Sequence, residues 1–385
     1  MFQQPQSQSS NHDKRPDQPA SIPTPNSRMK WPPELLSTRI LGEVKDESGR
    51  NYPRDLGRSI QLGGRTYYMF GDTFCFDDQG EFQGVTNNTI SLVPDHKNPT
   101  KSRYLCSEAK VPEFVPFSHS ERQFCEDPEN KKENRRIVNW VFGGVVEIPH
   151  SDGREAWLFY DQVEICGAQP VRQNGVGVAK VHVSHRSGDI TCKRVVPFPL
   201  FPSDGPLWGN ISNISAPDGY TYLLTGVGSE YGLDNYMARI RTNVDFSDRQ
   251  NYEFLHKHGV WKRTYTAPYG PFGELEHTVL SGQGQGAIVH VPKFTPPGRP
   301  YLWVGCEKFP TSQLCVGVAA RPEGPWDVRM LGEMPKLDEH AKTRYCIYPH
   351  IWGSKLGRGE MLISWSDDGT MGGKVGIGVF CFALE

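Results

Sequence analysis

Apolar positions along this chain fall in short runs bounded by Gly, Asp and Pro, and few stretches carry the period of a long amphipathic helix. Arg54 to Phe74 shows the pattern most clearly. Ser59-Ile60-Gln61-Leu62 alternates, Gly63-Gly64 predicts a two-residue turn, and Thr66-Tyr67-Tyr68-Met69-Phe70 is rich in strand formers. An antiparallel hairpin sets the start of its first strand beside the end of its second. Asp55 and Asp72 are therefore expected together at one rim of a sheet. Two neighbouring carboxylates are what acid/base chemistry on a sugar acetal requires, although aspartates at loop ends are also common structural caps.

The strand ending in Phe70-Gly71-Asp72 has four counterparts: Ala156 to Asp161, Tyr220 to Gly226, Tyr301 to Gly305 and Glu360 to Trp365. Each follows a turn signal: Gly63-Gly64, Asp152-Gly153, Asp218-Gly219, Pro297-Gly298 and Gly357-Arg358-Gly359. Before the later turns lie further strand-like runs, Val141 to Ile148, Ile211 to Ala216, Ala287 to Pro292 and Ile351 to Gly353. Third runs follow at Thr89 to Val93, Gly175 to Val183, Tyr236 to Arg241, Leu314 to Ala320 and Val375 to Phe382. Five such units that cannot bury both faces alone predict an all-β fold, a five-bladed β-propeller, rather than a β-sandwich of hairpins. The expected organisation is a disordered N-terminal tail over 1–28 and one propeller over 31–385. A long inter-blade insertion, 95–136, is read mostly as surface loop.

In a propeller the innermost strands line a central funnel. That places Asp55, Asn139, Trp140, Trp208, Asn210, Gln283, Gln285, Tyr348 and His350 near the axis, with Asp72, Asp161 and Glu307 joining from the second strands. Asp55 and Asp72 are the candidate catalytic residues, and the others are candidate substrate-binding residues. Such a polar, aromatic-walled pocket suits a sugar or another oxygenated small molecule. Each residue also has a plainer reading: Trp140 and Trp208 as core, Asn210 as a partner for backbone groups, His350 as a packed histidine rather than a ligand for an axial cation.

Composition narrows the function classes. The net charge of −2 gives no electrostatic footprint for nucleic acid, and no apolar run approaches membrane-spanning length. The first residues are polar and lack the apolar core of a secretory signal, so a cytoplasmic location is expected, or a secreted one if the N-terminus is mis-assigned. The nine cysteines are odd in number and contain no C-x-x-C, which predicts reduced packing residues. No Walker motif, dinucleotide fingerprint, H-E-x-x-H or zinc spacing is present, and no cofactor or metal is expected. Gly282-Gln283-Gly284-Gln285-Gly286 is followed by no helix pattern, which removes a nucleotide reading. The expected partner is a small-molecule or oligosaccharide substrate.

Asp55-Leu56-Gly57, Phe70-Gly71-Asp72-Thr73-Phe74 and Asn88-Thr89 together resemble the opening of the DUF4185 family. Gly324-Pro325-Trp326, Tyr348-Pro349-His350 and Ser364-Trp365 are in keeping with it, and the similarity runs from about Trp31 to the C-terminus. The resemblance implies a propeller like those of furanosidases and arabinanases, with bacterial members that are endo-D-arabinanases and a catalytic pair matching Asp55 and Asp72. The Pro/Gln/Ser-rich leader looks fungal. The leading expectation is a glycoside hydrolase acting on a furanoside, with Asp55 as nucleophile or base and Asp72 as acid, roles that could be exchanged. The alternatives are a cofactor-free cyclase or isomerase of fungal secondary metabolism and a non-catalytic sugar-binding propeller.

Overall fold

Five four-to-six-stranded sheets of antiparallel strands are arranged so that the first strand of each lies toward a common axis. The computed structural model describes residues 27–167, 169–195, 197–229, 232–265, 274–276, 280, 282–307, 311–368 and 372–385. The expected tail, 1–28, falls outside these except for its last two residues. Arg28 donates to the carbonyls of Pro292 and Thr295, so the docked chain begins slightly earlier than expected.

The inner strands are Arg54–Leu62, Arg135–Trp140 continued by Val145–Glu147, Ser212–Ser215, Gln283–His290 and Arg344–Pro349. The second strands are Arg65–Phe76, Glu155–Cys166, Tyr220–Ser229, Tyr301–Glu307 and Glu360–Asp367. The Gly63-Gly64 turn forms as expected. Leu62 pairs with Arg65, and both glycines have positive φ (60° and 72°), the geometry that matches the twist of two adjoining strands.

Alternation along the second strands explains why they read as nearly continuous apolar runs. Tyr67 and Met69 face blade two, whereas Tyr68 and Phe70 face blade five. In blade two, Leu158 and Tyr160 face blade one, whereas Trp157 and Phe159 face blade three. Each blade is thus apolar on both faces, and five cores lie between the blades rather than one at the centre.

Two features depart from the sequence-based picture. The outer strand of blade five is Leu35–Glu43, which pairs antiparallel with Lys374–Phe382, so the N-terminal segment completes the last blade. The 95–136 segment lies largely at the surface, as expected, but it is anchored in its middle and partly helical. Its Val111, Phe114 and Val115 are buried, and Asn88 holds it through Phe114 N to Asn88 O (3.0 Å) and Val115 N to Asn88 Oδ1 (2.6 Å). A capping box at Ser118 starts a helix, His119–Glu126, whose buried Glu121 pairs with Arg194 and accepts from Gln162 Nε2 at 2.8 Å. All nine cysteines are free.

Phe114→Ala is expected to cost about 3 kcal/mol in chemical denaturation, the range for truncating a buried aromatic. A change within about 0.5 kcal/mol, the usual value for an exposed position, would return the segment to the surface-loop reading.

Candidate active site

Asp55 opens the inner strand of blade one, where the hairpin register slips. Arg54 pairs with Thr73 and Leu56 with Phe70, so Asp55 stands opposite Gly71 and Asp72 in a bulge. Leu56 and Gly57 both take positive φ (74° and 72°) to form it. Gly71 is required by closeness: a Cβ there would lie 2.3 Å from Asp55 Oδ1. The two aspartates therefore meet at the mouth end of the hairpin, as its geometry predicted.

Their surroundings differ. Asp55 Oδ2 accepts from the Tyr345 hydroxyl at 3.0 Å, while Oδ1 is buried with no hydrogen-bond partner. Burial first, and then the like charge of Asp72, push the Asp55 carboxyl up from 3.8 to about 7. Asp72 Oδ2 meets Arg136 Nη2 at 2.6 Å in an ion pair, and its Oδ1 is also buried and without a partner.

Blades two, three and four enclose a pocket of about 210 Å³ that neither Asp55 nor Asp72 lines. Trp140, Asp161, Asn210 and Gln285, four of the expected substrate-binding residues, line it. Asp161 is 8% exposed and accepts from Gln173 Nε2. Burial pushes its carboxyl up to about 6 against the hydrogen bonds from Gln173 and Asn210. Gln285 Oε1 accepts from Cys346 N at 2.9 Å, one residue from Tyr345, and so links the pocket to Asp55. Phe142, Val163, Pro170, Ile211 and Leu233 supply the apolar walls. On the other side of Arg54 a polar groove of about 460 Å³ follows the seam between blades five and one, with Tyr52, Phe76, Asn51 and Lys374 in its walls.

The remaining expected residues lie elsewhere. Trp208 is fully buried between blades two and three, packed on Phe254 and Tyr265, because its inner strand starts later, at Ser212. Asn139 points into the seam between blade two and the insertion, where its Oδ1 accepts from Gln162 at 3.0 Å. Gln283 accepts from Trp303 Nε1 at 3.0 Å and serves packing between blades three and four. Glu307 pairs with Gln283 at the mouth end of blade four and is not among the described pocket-lining residues.

Tyr348 and His350 are corrected most. The inner strand of blade five is Arg344–Pro349, not Ile351 to Gly353, which forms a 3-10 turn. These two residues therefore close that strand at its far end instead of opening it at the mouth. His350 is buried, shares a 2.6 Å hydrogen bond with Ser59 Oγ and packs on Tyr68. Burial and the nearby Arg58 charge push it down to about 3, so it is neutral.

Sequence reasoning missed Arg136, Gln173 and Tyr345. Arg136 closed the 95–136 segment read mostly as surface loop, and Gln173 preceded the Gly175 to Val183 run. Tyr345 was hidden because Arg-Tyr-Cys-Ile-Tyr-Pro, a run of strand formers ending at a proline without an N–H, was not taken as the inner strand.

The raised Asp55 carboxyl has a stability consequence. The native state keeps a proton that the unfolded chain releases, so stability is lost as pH rises from about 4 to about 7. Asp55→Asn removes that loss. Calorimetric melting is expected to show a larger gain in Tm over the wild type at pH 8 than at pH 4. Equal differences at both pH values would mean that Asp55 titrates normally.

No protein-family model and no curated protein sequence matches this chain. Among solved structures, a Bacteroides ovatus protein described provisionally as a hydrolase superposes with a TM-score of 0.57 at 16% identity, covering 88% of this chain and 87% of that one. A family 117 glycoside hydrolase from Zobellia galactanivorans gives a TM-score of 0.48 at 12% identity, covering 91% and 90%. An α-L-arabinofuranosidase from Podospora anserina gives 0.44 at 10% identity, covering 92% and 98%. At these identities the likeness is one of fold, and the first of the three, by its higher TM-score, carries it.

Proposed function

We propose that this protein is a glycoside hydrolase that cleaves a furanoside, of the arabinan type, with Asp55 and Asp72. The observation that carries the reading is the pair itself: two carboxyls brought together by one hairpin and held in opposite surroundings. Such splitting is how one site supplies an acid and a base together. The environments favour the reverse of the first assignment. Asp55, half-buried and pushed up to about 7, suits the acid, and Asp72, ion-paired with Arg136, suits the base or nucleophile. Asp55 would protonate the leaving oxygen as the bond from the anomeric carbon breaks. Asp72 would take the proton of the attacking water, or attack that carbon itself and release it to water in a second step.

Neither aspartate lines the pocket or the seam groove; the pocket connects to Asp55 through Gln285 and the Cys346 backbone, and the groove reaches Arg54, the residue before it. No family model matches to back the expected DUF4185 resemblance, so the furanoside substrate rests on the aspartate pair. The provisional hydrolase description of the Bacteroides ovatus structure is in keeping with hydrolysis. One observation favours the second reading, a cofactor-free biosynthetic enzyme: six of the pocket's lining residues, Trp140, Phe142, Val163, Pro170, Ile211 and Leu233, are apolar.

The test is hydrolysis of aryl and oligomeric arabinofuranosides by the wild type and by the single variants Asp55→Asn and Asp72→Asn. Each variant is expected to lose activity by about 100-fold or more, the scale of general acid–base catalysis, while keeping its fold. Wild-type inactivity on all furanosides, or turnover in both variants, would end the two-aspartate hydrolase reading.

A further inference from the structure

Tyr345 touches Asp55 from across the junction between blades five and one, and the backbone is shaped to bring it there. The register of Arg344–Pro349 against Glu360–Asp367 slips between Tyr345 and Tyr348. Cys346, fully buried, takes a positive φ of 51°, a conformation uncommon for any residue with a side chain. Its N–H is held by Gln285 Oε1 at 2.9 Å. The facing bulge, at Leu56, is held in the same way: Leu56 N donates to Ser366 Oγ at 2.9 Å. Two left-handed, fully buried residues on different blades thus flank one contact, the 3.0 Å hydrogen bond from Tyr345 to Asp55 Oδ2. Strain of this kind persists where the surroundings over-determine it, and here it converges on Asp55.

We propose that Tyr345 is the positioning residue of the aspartate pair: its hydroxyl fixes the Asp55 carboxyl through Oδ2 and sets that carboxyl's protonation balance. Oδ1 is the oxygen with no partner, and it lies against Gly71, on the side of Asp72. With Oδ2 occupied by a donor, the proton sits on Oδ1. Tyr345 itself keeps its proton throughout, since burial and the Asp55 charge push the phenol well above its ordinary value. This inference rests on the two-aspartate reading for its catalytic meaning.

A hydrogen bond donated to the carboxylate form favours ionisation, so its removal shifts the balance toward the acid. Asp72 of the same hairpin and Tyr345 and Cys346 of blade five are the titratable groups coupled to Asp55. Tyr345→Phe deletes only the hydroxyl and keeps the ring. In carbon-13 aspartate-labelled protein, the Asp55 carboxyl is assigned as the resonance absent from Asp55→Asn. Its titration midpoint is expected to rise by about half a unit or more in Tyr345→Phe, with the near-ultraviolet circular dichroism unchanged. An unchanged or lowered midpoint overturns the proposal. As a control for folding, Tyr345→His keeps a ring donor and is expected to leave a midpoint below that of Tyr345→Phe; a midpoint at or above it also overturns the proposal. The titration uses no substrate, so it can succeed or fail independently of the furanoside assay.

Discussion

The guanidinium of Arg58 holds the propeller at its axis. Arg58 rises from the inner strand of blade one, and its Nη1 reaches the carbonyls of Phe142 (2.8 Å), Gly286 (3.3 Å) and Ile211 (3.4 Å), one each from blades two, four and three. Its Cζ lies 5.0 Å from the ring centre of Tyr348 in blade five. One side chain therefore meets all four other blades. It is buried, and no carboxylate lies within ion-pair distance among the described residues. A buried cation of this kind is tolerated only where oriented dipoles replace its water. The carbonyls come from the places where the inner strands break or begin, so the blades must present these ends at one height.

This axial contact also forms the floor of the candidate site. Phe142 and Ile211 give their carbonyls to Arg58 and line the pocket above, and Gln285, beside Gly286, links the pocket to blade five. Asp55 is three residues before Arg58 on the same strand. The bulge at Leu56 and Gly57 lies between them. Each buried left-handed residue that is not glycine costs about 1–3 kcal/mol. Leu56 and Cys346 meet this cost on the two strands that bring Asp55 and Tyr345 together.

Blade two extends beyond the pocket-lining Asp161. The register of Glu155–Cys166 with Gln169–Val183 and with Arg135–Trp140 continues beyond Asp161, so three strands stand above the pocket. Val138, Val163 and Ile165 form a small core of their own there. The insertion supports this wall from behind. Glu121 is buried against Arg194 and Gln162, and the segment ends in Arg135 and Arg136, which pair with Glu164 and Asp72. The helix, the wall and the ion pair on Asp72 are therefore parts of one support.

The sequence by itself determined the local elements. Five turns followed by aromatic strands implied five blades, and one two-residue turn was enough to bring Asp55 and Asp72 together, because hairpin register is a local property. Trp140, Asp161, Asn210 and Gln285 were also legible, since each sits where its strand reaches the mouth. Only the tertiary structure decided what meets across blades. Leu35–Glu43 shows mostly exposed positions and no clear alternation, and it becomes a blade strand only because Lys374–Phe382 leaves an edge to fill. Trp208 entered a core, and Tyr348 and His350 moved to the far end of their strand, because strand ends are set by ring closure and bulges rather than by propensity. Arg136 and Tyr345 reach the aspartates from other blades, through contacts 64 and 290 residues apart in sequence. No local pattern encodes such pairings; closing five blades around one buried cation does.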